Sequence, residues 1–184
     1  HFAAMLARFA SAQVRAAATV GGSGTYSANH LDCIRLERDA GIKVTYIPHT
    51  GTGPVVPALL GGHNTAAMNF AMLALQYTDQ IRALAVAADE RMDTLPDVPT
   101  FKELGFDIVG GAYRGVAAPK GTPPEIIEVL ANAFIETNKI ITEQQHKLGF
   151  VMTYETGKEA WDLIKRMEAG YADLFKDIAA GKFK

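Results

Sequence analysis

The chain has 184 residues, of which 48% are hydrophobic and 21% charged, and its 18 Lys and Arg residues balance 20 Asp and Glu residues. This composition excludes global disorder, and the lack of clustered basic residues argues against nucleic acid as a partner, because phosphate neutralisation needs a concentrated positive surface. No apolar run approaches the roughly 20 residues of a membrane-spanning helix, so we expect a chain that is not membrane-spanning. The single cysteine, Cys33, excludes an intrachain disulfide, and we expect it in the core.

The first half of the chain alternates short apolar runs with helical patterns, and Gly or Pro marks each junction. This alternation is typical of βα units, so we predict an α/β fold. The predicted strands are residues 15–20, 43–47, 64–70 and 82–86. The predicted helices are residues 2–10, 25–40, 54–60 and 72–79.

The middle of the chain changes in character. Residues 91–100 contain two prolines within four residues and are predicted to be irregular. Thr100 and Glu103 have the spacing of a capping box, which predicts a short helix that ends at Gly105. Residues 107–117 are Gly-rich and predicted to be extended, as suits a hinge strand that passes between two lobes.

The C-terminal part is predicted to be mainly helical. Amphipathic patterns indicate helices over residues 123–138 and 142–148, followed by a strand over residues 150–154. Thr156 and Glu159 form a second capping box, which begins a long final helix. The residues predicted to face inward on that helix are Ile164, Met167, Tyr171, Leu174 and Ile178.

The sharpest local motif is Gly-rich. Gly22, Ser23, Gly24 and Thr25 stand between a predicted strand and the start of a helix. Backbone N–H groups in such a turn, the positive end of the helix dipole and the two hydroxyls together favour an anion, either a carboxylate or a phosphate. A plain Gly-rich turn remains the alternative.

Better-known motifs are excluded here. No Lys follows the glycines, as a P-loop would need, and Ser27 stands where a dinucleotide fingerprint needs its third Gly. A serine nucleophile elbow would need Gly at the position of Thr25. The five histidines have no metal-ligand spacing. We therefore predict no cofactor, no metal and no catalytic residue.

Two further segments follow predicted strands. His49, Thr50, Gly51 and Thr52 form a polar loop, and Asn69 and Phe70 end the next predicted strand. Ligands of open α/β sheets bind outside the carboxyl ends of the strands. We therefore expect these residues to face one crevice together with the Gly-rich turn.

Several motifs occur in an order and spacing that point to one family. They are Gly22-Ser23-Gly24-Thr25, Ala40 to Gly51, Leu59-Leu60-Gly61-Gly62, Ile81-Arg82-Ala83-Leu84-Ala85-Val86, Arg91, Leu95-Pro96-Asp97-Val98-Pro99-Thr100, Glu103-Leu104-Gly105 and Ala118-Pro119-Lys120-Gly121-Thr122-Pro123. Over essentially its whole length, the chain resembles the substrate-binding proteins of tripartite tricarboxylate transporters, the Bug or TctC-like family.

The resemblance implies a periplasmic-binding-protein-like, type II Venus flytrap without catalytic activity. Residues 1–110 would form the second, ligand-binding lobe, and residues 111–184 would supply a hinge strand and C-terminal helices that complete the first. The implied protein is periplasmic, captures a small organic acid and passes it to membrane permease subunits. The ligand could be a dicarboxylate, a tricarboxylate, an amino acid or an aromatic acid. The implied binding residues are Gly22, Ser23, Gly24, Thr25, His49, Thr50, Gly51, Thr52, Asn69 and Phe70.

The chain departs from the family pattern at three places. His49 stands where the family usually has Tyr, and His63-Asn64-Thr65 replaces a usual Val-Asp pattern, so the preferred ligand stays open. No signal peptide and no counterpart of the family's N-terminal half are in this sequence. We therefore expect a truncated, proteolysed or partly recorded chain, or one that repacks or dimerises, with apolar helix residues such as Ile127, Leu130 and Phe134 left without a sheet.

Two alternative functions remain at this stage. One is an α/β enzyme that binds a phosphorylated substrate at Gly22 to Thr25. The other is a receptor that serves a sensor kinase rather than a permease.

Overall fold

A computed structural model describes residue 2 and residues 18–111, 113–148, 150, 152 and 154–183. The chain divides into two compact units: unit 1 ends at Tyr113 and unit 2 begins at Arg114. The division falls within the segment 107–117. The assignment of the two units to the lobes of a receptor stays a prediction.

Unit 1 is built on a parallel sheet of three strands: β1 (Thr19–Ser23), β2 (Thr45–His49) and β3 (Ala66–Ala67), in the order β2-β1-β3. Helix α1 (Ala28–Ala40) connects β1 to β2, and helix α2 (Val55–Leu60) connects β2 to β3. Helix α3 (Ala71–Gln76) follows β3. The strand, helix, strand order confirms the predicted α/β class.

Helix α1 carries the core of unit 1. The Ser27 side chain caps its first turn by accepting the His30 N–H, and Gly41 ends it in the left-handed conformation with φ of 63°. Its buried apolar residues are Leu31, Cys33, Ile34 and Leu36, so the expected core position of Cys33 is confirmed. Residues Val20, Ile42, Phe101 and Ile108 belong to the same core, and the Phe2 ring meets Phe101 and Phe106 edge-on.

The first two strands lie further along the chain than predicted. β1 ends at Ser23, so Gly22 and Ser23 belong to a strand rather than to a loop, and β2 ends at His49. The ladder runs from the pair Thr19 and Thr45 to the pair Ser23 and His49, so backbone pairing holds the glycines in the strand. Glycine carries no side-chain signal for a strand, which is why the sequence pattern ended β1 too early.

The later strands are shorter than predicted. Only Ala66 and Ala67 pair within residues 64–70, and of residues 82–86 only Val86 pairs, in an isolated parallel bridge to Thr100. Pro99 has no N–H to extend that bridge. The capping box of Thr100 and Glu103 forms, but residues 101–105 make turns and no helix.

Unit 2 contains helices α4 (Pro124–Lys147) and α5 (Gly157–Ala179). Two helices were predicted over the range of α4, but no helix-breaking residue separates them and the helix is continuous. The capping box of Thr156 and Glu159 is present at the start of α5. Phe150, Met152 and Tyr154 show no strand; Val151 and Thr153, like most of the predicted first helix and residues 15–17, lie outside the described residues.

The helices of unit 2 leave much apolar surface exposed. No described residue of α4 is buried, and Ile127, Leu130 and Phe134 are each more than 40% exposed. Their exposure agrees with the expectation that these side chains are not covered, and the expectation that a sheet is missing stays a prediction. On α5 only Leu174 is buried, and Ile164, which was predicted to face inward, is 50% exposed. No helix in the described ranges is both long and apolar enough to cross a membrane.

Candidate functional site

The three predicted binding segments meet at one edge of the sheet. Ser23, the last residue of β1, pairs directly with His49, the last residue of β2. Gly21 of β1 pairs with Ala67, the last residue of β3, and its carbonyl accepts the Met68 N–H at 2.9 Å. The carboxyl ends of parallel strands share an edge, so Asn69 and Phe70 emerge beside the other two segments.

The turn between β1 and α1 offers donors to an anion. After Ser23 the chain passes through Gly24 and Thr25, and the Gly24 carbonyl accepts the Ser27 N–H at 3.1 Å. Within the described residues, neither the N–H nor the hydroxyl of the exposed Thr25 has a protein partner. Both groups stand just before the positive end of α1, where an anion is favoured.

The Ser23 hydroxyl is already committed inside the protein. It donates to Asn29 Oδ1 and lies 3.0 Å from Ser27 Oγ, while Ser27 Oγ donates to the Ser23 carbonyl at 2.9 Å. A hydroxyl has one proton to donate, so Ser23 retains only acceptor capacity in this arrangement. In this arrangement the Ser23 hydroxyl has no proton left to donate to a ligand, whereas the Thr25 hydroxyl has no partner among the described residues.

A column of rings supports this turn. The His30 ring stacks on Tyr46 with centroids 4.2 Å apart and on Tyr26 with centroids 5.4 Å apart. The Tyr26 N–H donates to His30 Nδ1 at 2.9 Å, and Tyr26 has a φ of 58°, which is unusual for a residue other than glycine. Burial lowers the pKa of His30, which favours the neutral ring that this bond requires.

Tyr46 explains why residue 22 is glycine. The Tyr46 hydroxyl donates to the Ser23 carbonyl at 2.5 Å, and it lies only 2.3 Å from where a Cβ on Gly22 would stand. Burial raises the pKa of Tyr46 to about 12, so the hydroxyl keeps its proton. The sequence reasoning missed Tyr26, His30 and Tyr46; the i, i+4 spacing of Tyr26 and His30 was the available signal.

The second segment is anchored through His49. Its Nε2 lies 3.1 Å from Nδ2 of Asn64, a buried residue that packs against the α-carbon of Gly21. Beyond the strand, the N–H groups of Thr50 and Gly51 have no acceptor in the described part of the chain. The Thr52 carbonyl accepts the Val55 N–H at 3.3 Å and so starts α2.

The third segment contributes an amide. The Phe70 N–H donates to Asn69 Oδ1 at 2.9 Å, and Phe70 is half-buried at the start of α3. Asn69 Nδ2 is buried and has no protein partner among the described residues. Leaving such a donor unmet costs about 1–3 kcal/mol, so a water or ligand oxygen that reached the buried Nδ2 would be stabilised there.

Charged groups are not concentrated at these strand ends. The buried acid Asp32 pairs with Arg35 at 3.6 Å and packs against Gly110, while Arg35 donates to the Val109 carbonyl at 3.0 Å. This pair anchors the core of unit 1. In the ranges that the structure describes, no group of three His, Cys, Asp or Glu side chains could hold a metal ion.

Known proteins resemble this chain in sequence and in fold. A 171-residue stretch is 34% identical to a UPF0065 protein of Agrobacterium vitis, covering 89% of this chain and 49% of the relative. A ligand-free TctC solute-binding protein from Polaromonas is 34% identical with a TM-score of 0.72, and the match covers 86% of this chain and 57% of that one. MatC from Rhodopseudomonas palustris, solved with bound malate, is 33% identical with a TM-score of 0.51, over 63% of this chain and 40% of MatC.

The family model gives the same result over a wider range. The tripartite tricarboxylate transporter family receptor, TctC, matches residues 9–178. The chain spans about half the length of the Agrobacterium vitis relative, and the periplasmic-binding-protein-like fold is present in part. The chain belongs to the TctC family of tripartite tricarboxylate transporter receptors.

Proposed function

We propose that this chain is the part of a receptor that captures a small organic carboxylate, without converting it, at the carboxyl ends of β1, β2 and β3. The observation that carries the proposal is the Thr25 N–H and hydroxyl, which have no partner among the described residues and lie at the positive end of α1. A carboxylate oxygen accepts both kinds of donor.

The neighbouring segments add donors for a second group of the ligand. The N–H groups of Thr50 and Gly51 and the Asn69 amide are neutral donors at the same edge of the sheet. In this proposal Gly22 and Ser23 shape the floor through the backbone, Gly24 and Thr25 bind one end of the ligand, and His49 to Thr52 bind the other. Phe70 closes the apolar side.

The comparisons support the class of ligand. The matching family is described as a transporter receptor, and MatC, which is similar to this chain, was solved with malate. We extend that class to this chain and propose an extracytoplasmic receptor that passes its ligand to membrane permease subunits. Delivery to a sensor kinase would use the same binding site.

The test is ligand binding by the full-length polypeptide that carries this sequence. Isothermal titration with malate and glutarate should give saturable binding. Thr25→Val, which removes one hydroxyl, should weaken it about tenfold or more, because a hydrogen bond to a charged group contributes about 1.5–3 kcal/mol. Thr45→Val, at the opposite end of β2, is the matched control and should leave affinity unchanged.

Two results would overturn the proposal. One is the absence of saturable binding for every dicarboxylate, tricarboxylate, amino acid and aromatic acid in a thermal-shift panel. The other is tighter binding of phosphate esters than of carboxylates, which would instead favour an enzyme with a phosphorylated substrate at Gly22 to Thr25.

A further inference from the structure

The contact between His49 and Asn64 assigns a chemical role to the second binding segment, which is residues 49–52. With the Asn64 amide nitrogen 3.1 Å from His49 Nε2, the amide N–H is the donor and Nε2 must accept. A ring nitrogen that accepts carries no proton. The single proton of the neutral imidazole is then on Nδ1.

The surroundings hold this pair in place. Asn64 is 3% exposed, and its N–H donates to the Ala58 carbonyl at 3.2 Å. A Cβ on Gly21 would lie 2.1 Å from Asn64 Nδ2 and 3.3 Å from His49 Nε2, so glycine is needed there for the two side chains to meet. The buried Asn64 amide cannot turn away without leaving space in the core, so its hydrogen bond holds the partly buried His49 ring in place.

The other ring nitrogen has no partner in the part of the chain that the structure describes. His49 Nδ1 bonds to no group of the described residues, and His49 is only partly buried at the carboxyl end of β2. The ring therefore offers a neutral N–H at the same edge as the free N–H groups of Thr50 and Gly51.

We infer that Asn64 is a positioning residue that fixes His49 as its Nδ1–H tautomer, so that the ring presents a hydrogen-bond donor to the ligand. The inference rests on the proposed carboxylate site and narrows its ligand. The group bound beside His49 must be an oxygen acceptor such as a second carboxylate, and an ammonium group is disfavoured because it would face a donor. Dicarboxylates are thereby selected over amino acids whose amine would reach this segment.

The hydrogen-bond assignment is tested without any ligand. Nitrogen-15 NMR of the imidazole rings at pH 8, with His49→Gln to identify the signal, should show His49 Nε2 unprotonated and Nδ1 protonated. In Asn64→Asp the carboxylate can only accept, so the proton should move to Nε2. A wild-type His49 protonated on Nε2 overturns the inference, whether or not the variants fold.

The selectivity is tested with a matched pair of probes on the full-length polypeptide. Glutarate and 4-aminobutanoate have the same chain length and differ in one end group. The wild type should bind glutarate at least tenfold more tightly, and Asn64→Asp should reverse or abolish that ratio. Asn64→Leu, which removes the bond without offering an acceptor, should weaken glutarate binding without favouring the amine.

The outcomes separate the two proposals. Equal or tighter binding of 4-aminobutanoate by the wild type overturns the inference while leaving carboxylate binding intact. If neither probe binds but the Nδ1–H tautomer is observed, the hydrogen-bond assignment is supported and the proposed function is what fails.

Discussion

The two units of this chain differ in where their apolar side chains go. In unit 1, Ile108 and Val55 are completely buried, whereas the polar residues Thr25 and Thr50 at the strand ends are exposed. In unit 2 the situation is reversed, because Ile127, Leu130 and Phe134 of α4 are exposed. The difference teaches that the core of unit 1 is formed by its own sequence, whereas the apolar residues of α4 are not covered by any other described residues.

The largest expected effect compares one isoleucine in each unit. Ile108→Ala should lower the free energy of unfolding of unit 1 by about 2–5 kcal/mol, because it removes a fully buried side chain. Ile127→Ala should change the stability of unit 2 by well under 1 kcal/mol, because its side chain is already exposed. Hydrogen exchange of assigned amides in each unit measures both values. Equal costs would show that the face of α4 is covered in solution.

The next effect concerns the buried acid of unit 1. Burial raises the pKa of Asp32 from 3.8 to about 6, and Arg35 offsets only part of the shift. Between these values the folded chain keeps a proton that the unfolded chain has lost, so the free energy of unfolding should fall as pH rises from about 4 to about 6. The full span corresponds to about 3 kcal/mol.

Glu37, whose pKa burial also raises, contributes a fall of the same sign. Urea denaturation of unit 1 between pH 4 and pH 7 should show the fall in the wild type and a clearly flatter profile in Asp32→Asn. The matched change in unit 2, Glu136→Gln in an exposed ion pair with Lys139, should leave the profile unaltered. An equally steep profile in Asp32→Asn would contradict the assignment.

A smaller effect separates two glycines of the same motif. Gly22→Ala should cost about 1–3 kcal/mol, because the new Cβ would stand 2.3 Å from the Tyr46 hydroxyl and force it from the Ser23 carbonyl. Gly24→Ala should be nearly neutral, since no atom lies within 4 Å of its added Cβ. The melting temperatures of the two variants, measured by thermal unfolding, compare these two costs. A neutral Gly22→Ala would mean that the ring column does not support the turn.

The smallest effect compares the helix caps of the two units. Ser27→Ala should cost about 1–2 kcal/mol, because Ser27 Oγ both accepts the His30 N–H and donates to the Ser23 carbonyl. Thr156→Ala at the start of α5 should cost about 0.5–1 kcal/mol, because only the helix cap is lost. Denaturant midpoints with unit-specific probes measure the difference, and a larger cost at Thr156 would contradict this order.

The sequence predicted what depends on local chemistry and missed what depends on contacts between distant residues. The α/β order, the stop at Gly41 and both capping boxes follow from neighbours in the chain, and all are present. The carboxyl ends of β1 and β2 were misplaced because pairing with Thr45 to His49, more than twenty residues away, keeps Gly21 and Gly22 in a strand.

The same reasoning applies to the candidate site. Gly24, Thr25, Thr50 and Gly51 were found from the turn signals that precede helices. Asn64 was noticed only as a departure from a family pattern, because its contact partner His49 is fifteen positions away in the sequence. The contact also requires that Gly21, which lies against both side chains, has no Cβ. A pattern in sequence cannot show that a missing side chain at Gly21 makes room for two others.

The neutrality of the strand-end groups has a consequence for the solution in which the protein works. None of the ten proposed binding residues is Lys, Arg, Asp or Glu, so none of them attracts the ligand through a full side-chain charge. Attraction between full charges weakens as the Debye length shrinks from about 30 Å at 0.01 M salt to about 8 Å at 0.15 M. Hydrogen bonds at contact distance are much less screened, so ligand capture at this edge of the sheet should be nearly independent of ionic strength.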